Sequence, residues 1–242
     1  MNPSSKYYNE FYSEVAKIDA LHNNFKKIED FLRQLKQDSR ILDVGCGYGS
    51  VSSELVKRGY DVYGMEINAD ALQSLRKKGF QVIETDINRS FGVPDDFKFD
   101  LILILDVLEH VFDPLFILEE SQKRLSENGT IIISVPLYFD LFDRIRVLFT
   151  GSIISYDNLC YGKEIYRRFR SYNYDHIRFF SPRDMPEMLS AASLKAEAVK
   201  YNSLLGYGFF TRAISRVLAR AFLIRKFPGL LAHSMLIRAE KS

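Results

Sequence analysis

Three glycines at alternate positions, Gly45, Gly47 and Gly49, follow directly on the apolar run Arg40 to Val44, and no other feature restricts the fold as much. A strand that ends in glycines lets the backbone turn tightly and pass close beneath a ligand, while the next helix aims its first amides at it. The segment Ile41-Leu42-Asp43-Val44-Gly45-Cys46-Gly47-Tyr48-Gly49-Ser50 therefore predicts strand, turn and helix, the helix running from about Tyr48 to Arg58 with Gly59 as its stop. The spacing also narrows the ligand. A dinucleotide fingerprint wants its third glycine one residue later, where this chain has Ser50. Asp43 is a poor neighbour for a pyrophosphate and a good one for an ammonium group.

The same unit recurs downstream. Strands are expected over 61–66, 81–85, 100–105 and 130–135, with helices from Ala69 to Lys78 and from Asp113-Pro114 to near Ser126. The run Asp100 to Leu105 (DLILIL) has the continuous apolar character of a central strand buried on both faces. Asn128-Gly129 is read as the turn into the fifth strand. Five alternations of strand and helix imply an α/β fold, a Rossmann-like parallel sheet with helices on both faces. Ahead of it, Leu21, Phe25, Ile28, Phe31, Leu32 and Leu35 predict an amphipathic helix over 21–37. Residues 137–180 lack a clean period and read as an insertion. Ser181-Pro182-Arg183-Asp184 reads as a capping box opening a helix to about Ala192. Strands over 194–201 and 234–239 flank a second insertion, 203–232.

Carboxylates stand at four successive strand ends: Asp43, Glu66, Asp86 and Asp106, the last leading into Val107-Leu108-Glu109-His110. Open α/β sheets bind ligands at that edge. Glu66 can accept both hydroxyls of a ribose and would repel a 2′-phosphate. Asp86 can accept from an adenine amine, with Ile87 packing on the ring.

With these elements the chain resembles the class I S-adenosylmethionine-dependent methyltransferases, and within them the group of ubiquinone-biosynthesis O-methyltransferases. Leu42 to Gly49 match that family's LDVGCGxG motif, and Leu108-Glu109-His110-Val111-Phe112-Asp113-Pro114 match its L-E-H-V-x-D-P stretch. The likeness is close over residues 40–135 and loose over 176–240. It implies a seven-stranded, mostly parallel sheet with an antiparallel last strand. It implies S-adenosylmethionine as donor and S-adenosylhomocysteine as product. Asp43, Gly45, Cys46 and Gly47 would border the donor's methionine end, with Asp106 beside them; Glu66 and Ile67 would hold its ribose, and Asp86 and Ile87 its adenine. His110 is the candidate general base. In some ubiquinone-type and RNA-end methyltransferases an acid-x-x-Glu-His arrangement binds a divalent metal. No metal is expected here, and Asp106, Glu109 and His110 are the set that would hold one.

Composition bounds the partners. A net charge of +2, from 33 Lys+Arg against 31 Asp+Glu, argues against nucleic acid. The polar start of the chain has no secretory h-region, and no run reaches the roughly 18 apolar residues of a membrane span. Cys46 and Cys160 form neither a disulfide framework nor a metal pattern. The expectation is a cytoplasmic enzyme, peripheral at the membrane if its acceptor is lipid-linked.

The domain expectation is one methyltransferase domain over 1–242. It carries a helical cap (1–38), an insertion over the acceptor site (137–180) and a second insertion (203–232). Within the first, arginines interleave with aromatics from Tyr156 to Arg178, which suits an anionic or aromatic acceptor. Within the second, residues 209–226 read as a basic amphipathic helix with Arg212, Arg216 and Arg220 on one stripe, able to lie on a membrane. The expected function is O-methylation of a small-molecule or lipid-linked acceptor. The alternative, from features shared with MetW-type proteins such as Glu84-Thr85-Asp86-Ile87-Asn88 and His176-Ile177-Arg178, is a donor-binding partner of an acyltransferase. A nicotinamide dehydrogenase is disfavoured by Ser50.

Overall fold

The computed structural model describes residues 24–138, 140–151, 176–202 and 226–242. Its seven strands are β1 (Arg40–Val44), β2 (Asp61–Glu66), β3 (Gln81–Glu84), β4 (Phe99–Leu105), β5 (Leu125–Pro136), β6 (Leu194–Asn202) and β7 (Ser234–Lys241). They form one sheet in the order β3-β2-β1-β4-β5-β7-β6. The first five pair in parallel, and β7 runs antiparallel between β5 and β6. The expected α/β class and sheet direction are thus those of the structure.

The α-helices are α1 (Asn24–Ile28), α2 (Ser50–Lys57), α3 (Ala69–Lys77), α4 (Pro114–Arg124), α5 (Leu141–Thr150), α6 (Asp184–Ala191) and α7 (Pro228–Leu231). Local chemistry sets their ends. The Asn68 side chain accepts from the Ala71 amide (2.8 Å) to start α3, and Asp113 accepts from Phe116 (3.1 Å) to start α4, with Pro114 in its first turn. Both α2 and α3 close in the same way. Tyr60 and Phe80 amides return to the carbonyls of Leu55 and Leu75, and Gly59 and Gly79 to those of Val56 and Arg76.

Alternation along the central strand builds two cores. Ile102 and Ile104 of β4 join Leu42, Val44, Ile131 and Ile133 on one face. Leu101 and Leu103 join Ile41, Ile132, Val51 and Leu55 on the other, where Phe25, Ile28 and Leu32 also pack. Phe25, Ile28 and Leu32 of the amphipathic stripe read near the start of the chain are therefore buried, and the α-helix ends sooner than expected: α1 passes at Glu29 into a 3-10 turn ending at Gln34.

Two expectations are corrected. The fifth strand begins at Leu125, not Thr130, and residues 126–129 bulge from it where pairing with β4 jumps from Phe99–Leu125 to Leu101–Thr130. Asn128-Gly129 turns the chain inside a strand, not before one. Helix α5 lies within 137–180, where no period pointed to one. Its apolar side chains Ile145, Leu148 and Phe149 are exposed, so no buried stripe marks it in the sequence. At Ser181 half of the capping box forms: the Asp184 carboxylate accepts from the Ser181 amide (2.6 Å). The start of the helical cap (residues 1–23), Cys160, the arginine–aromatic segment up to Tyr174 and the basic helix over 209–225 lie outside the described residues.

Gly64 on β2 faces Cys46: a Cβ there would stand 2.7 Å from the Cys46 sulfur. Gly64→Ala is expected to lower stability by about 1–3 kcal/mol in urea titrations. Adding Cys46→Ala should recover most of that loss, because the sulfur is the atom in the way.

Candidate functional site

Parallel pairing aligns the strand ends. Val44 is opposite Met65 on β2 and Ile104 on β4, and Glu66 is opposite Glu84 on β3. The segments after these strands therefore emerge side by side, at the point where the strand order reverses between β1 and β4. There a cleft of about 540 Å³, counted to its open mouth, is lined by Gly45, Glu66, Asp86, Asp106, Val107 and His110, with Met65, Ile67, Thr85, Ile87, Asn88 and Val111.

Each wall is held by its own backbone. The Gly45 and Cys46 amides donate to the Met65 carbonyl (2.9 and 3.1 Å), tying the glycine turn to the end of β2. Gly45 adopts φ +67°, and a Cβ on it would meet Val107 at 2.8 Å, so position 45 requires glycine twice over. Glu66 is only 5% exposed, and its carboxylate is gripped by main chain. Oε2 accepts from the Gly47 amide (2.9 Å), and Oε1 from the amides of Ile67 (2.7 Å) and Asn68 (2.8 Å). The same side chain thus shapes the glycine turn and the turn after β2.

Asp86 accepts from the Asn88 amide (3.1 Å) and lies 3.4 Å from the Arg89 guanidinium. Asn88 in turn accepts from the Phe112 amide (2.8 Å), clamping the loop after β3 to the loop after β4. Asp106 sits at φ +55°, a left-handed conformation uncommon for aspartate. It is pinned there by β5: the Ser134 hydroxyl donates to its carboxylate, and its own amide donates to the Ser134 carbonyl (3.0 Å).

Not every predicted site residue reaches the cleft. Asp43, Cys46 and Gly47 are absent from its lining. Asp43 is buried and accepts from the Ser52 hydroxyl (2.5 Å), which fixes the first turn of α2 behind the glycine loop. Cys46 points into the niche left by Gly64. Of the three residues expected to hold any metal, Glu109 and His110 stay together, but the third member of their cluster is His176, not Asp106. One ligating atom from each of Glu109, His110 and His176 lies within 4.8 Å of the others. Glu109 is 1% exposed, and its Oε1 stands 3.9 Å from His110 Nε2. His176 arrives because the Ile177 and Arg178 amides both donate to the Glu109 carbonyl (2.8 and 3.1 Å). Spacing along the sequence could not bring residue 176 to residue 110. Its only local signal was the His176-Ile177-Arg178-Phe179-Phe180 run.

Burial pushes the Cys46 thiol well above its ordinary range, helped by the nearby carboxylates of Asp43 and Glu66. In a Cys160→Ser background, Cys46 is expected to react with Ellman's reagent at pH 8 at least about a hundredfold more slowly than in the urea-unfolded chain. A raised folded value means stability is full below the unfolded thiol range and is lost as pH climbs above about 8.5. The urea midpoint should therefore fall on going to pH 10, and fall less once Cys46 is also alanine.

Comparison with known proteins agrees with this geometry. Residues 15–199 match a family model described as a methyltransferase domain. A ubiquinone biosynthesis O-methyltransferase of Hydrogenovibrio crunogenus is 25% identical over 85% of this chain and 84% of its own length. One from Pelagibacter ubique is 29% identical over 54% of this chain and 61% of its own, so the alignment spans under two thirds of that relative. A solved S-adenosylmethionine-dependent methyltransferase of Clostridium acetobutylicum superposes with a TM-score of 0.61 at 15% identity, over 97% of this chain and 99% of its own. The comparisons favour an enzyme over the acyltransferase-partner alternative.

Proposed function

The chain belongs to the methyltransferase domain family and is an S-adenosylmethionine-dependent methyltransferase, and on that premise we propose that it methylates a hydroxyl oxygen on a small-molecule or lipid-linked acceptor. The observation that carries this reading is the cleft at the strand ends, lined by three carboxylates, a band of apolar side chains and His110.

The cleft residues fit the donor. Glu66 Oε2 has taken one amide hydrogen and keeps acceptor capacity for a ribose hydroxyl. Asp86 offers its carboxylate to an adenine amine, and Ile67, Ile87 and Val107 offer flat apolar walls. The methionine end falls to Gly45 and Asp106, with Asp43, Cys46 and Gly47 shaping the loop from behind. Bound there, the donor would supply a sulfonium methyl whose carbon bonds in line to the acceptor oxygen as its bond to sulfur breaks, the bonding pair staying on sulfur.

The protein's own work is alignment, exclusion of water and care of one proton. His110, at the rim on the β4 side, is the group we assign to take the acceptor's hydroxyl proton on a ring nitrogen. The reading uses no metal. The same reading takes the chain as one methyltransferase domain, with Phe25, Ile28 and Leu32 packed on one face of the sheet and His176 beside His110.

The O-methyl reading is supported by the relatives, which are ubiquinone biosynthesis O-methyltransferases. A lipid-linked acceptor, reached by a cytoplasmic enzyme from the membrane surface, is supported by α5. Leu148 and Phe149 are 78% and 80% exposed there, beside the exposed Arg144. We propose that this face and residues 209–226 touch lipid together. Among the described residues no helix is long and apolar enough to cross a membrane.

Calorimetry is expected to give S-adenosylmethionine binding and no NADH binding. Glu66→Ala should weaken the donor by about 1–3 kcal/mol, since a charged acceptor is lost; unchanged affinity would overturn the ribose assignment. Flotation with vesicles containing anionic lipid should recover the wild-type protein and lose Leu148→Ser/Phe149→Ser. Equal flotation of both would end the role of α5.

A further inference from the structure

Three separate stretches meet beside the acceptor end of the cleft, and one side chain from each forms a continuous chain. The 3-10 turn Leu108–His110 brings His110, whose ring lines the cleft. The chain leaving β5 brings Tyr138. The strand-like stretch 176–180 brings His176.

Backbone pairing fixes the last two relative to each other. Leu137 bridges Phe180, and the Tyr138 amide donates to the Phe180 carbonyl (3.4 Å). Backbone also fixes His176 relative to the turn, through the two amides on the Glu109 carbonyl. On that frame the Tyr138 hydroxyl hydrogen-bonds His176 Nδ1. The His176 ring stands edge-on to His110, with centroids 4.6 Å apart and planes at 67°. The Tyr138 ring is itself braced edge-on by Phe179 at 4.7 Å.

We infer that Tyr138 and His176 are positioning residues for His110: the phenol holds the His176 ring, and the His176 ring, standing edge-on, sets the orientation of the His110 ring. The physical reason is that an imidazole has two unlike nitrogens. A ring held in place decides which of them faces the acceptor. The Tyr138 hydroxyl on Nδ1 holds the His176 ring in place, and that ring, edge-on to His110 at 4.6 Å, limits how the His110 ring can turn. Glu109 Oε1, 3.9 Å from His110 Nε2, closes the same group from below. A general base depends on such placement, because proton transfer requires the basic nitrogen within hydrogen-bond reach of the hydroxyl.

This inference rests on the proposal that His110 serves the acceptor, so its test separates the two. Tyr138→Phe removes one oxygen and keeps the ring that packs on His176 and Phe179. The protein has four histidines, which keeps long-range 1H–15N imidazole spectra tractable. With S-adenosylhomocysteine bound, Tyr138→Phe is expected to move the ring-nitrogen signals of both His176 and His110, leaving homocysteine-product affinity and the urea midpoint within error. Movement of His176 alone, or of neither, overturns the inference whatever the acceptor is. With catechol as acceptor, Tyr138→Phe and His176→Gln should each lower kcat about tenfold with little change in KM. A KM effect with kcat intact would also overturn it, by making these residues part of acceptor binding. Where the wild type turns over no hydroxylated acceptor, the O-methyl reading fails and the spectra still decide this one.

Discussion

The structure depends on the register of three parallel strands. Val44 is paired with both Met65 and Ile104, so β1, β2 and β4 end level with one another. A shift by one residue on any of them would exchange the faces on which its own apolar side chains are buried, and on β2 or β4 it would also displace the carboxylate at the strand end, Glu66 or Asp106. The two apolar cores above and below the sheet hold that register, and the level edge is what gathers glycine turn, Glu66, Asp86 and Asp106 into one site.

Glu66 shows how closely scaffold and site are joined. It ends a strand, is nearly buried, and binds the amides of two different loops. Such a carboxylate is already oriented before any ligand arrives, so little ordering is left for the binding step. Asp106 is treated similarly by β5, which holds it in an otherwise unfavourable left-handed conformation. The side of the cleft lined by Glu66 and Asp86 is built from strand ends and the turns after them. The side that holds His110 is built from a 3-10 turn and the stretch that crosses it, and loops are where substrate differences within one fold are usually written.

Much of this was legible in the sequence because it is local. The apolar run DLILIL, the glycine stops after α2 and α3, the caps at Asn68 and Asp113, and the LDVGCGYG turn each announce themselves within a few residues. The strand end carrying Glu66 was visible for the same reason. Helix α5 was not, since Ile145, Leu148 and Phe149 are exposed rather than set against the core. The early start of β5 was hidden by Asn128-Gly129, which signals a turn equally well inside a bulge.

The sequence by itself determined the fold class, the succession of strands and helices up to the fifth strand and the carboxylates Glu66, Asp86 and Asp106 that line the cleft, because period, turn chemistry and strand-end carboxylates are properties of short stretches of chain. Only the tertiary structure decided which candidates face the cleft: Asp43 and Cys46 turn behind the loop, toward Ser52 and Gly64. It alone brought His176 and Tyr138 to His110, since that meeting depends on backbone pairing between segments 42 or more residues apart. Hydrogen bonds between distant segments leave no spacing in the sequence, and they are what set His176 beside His110.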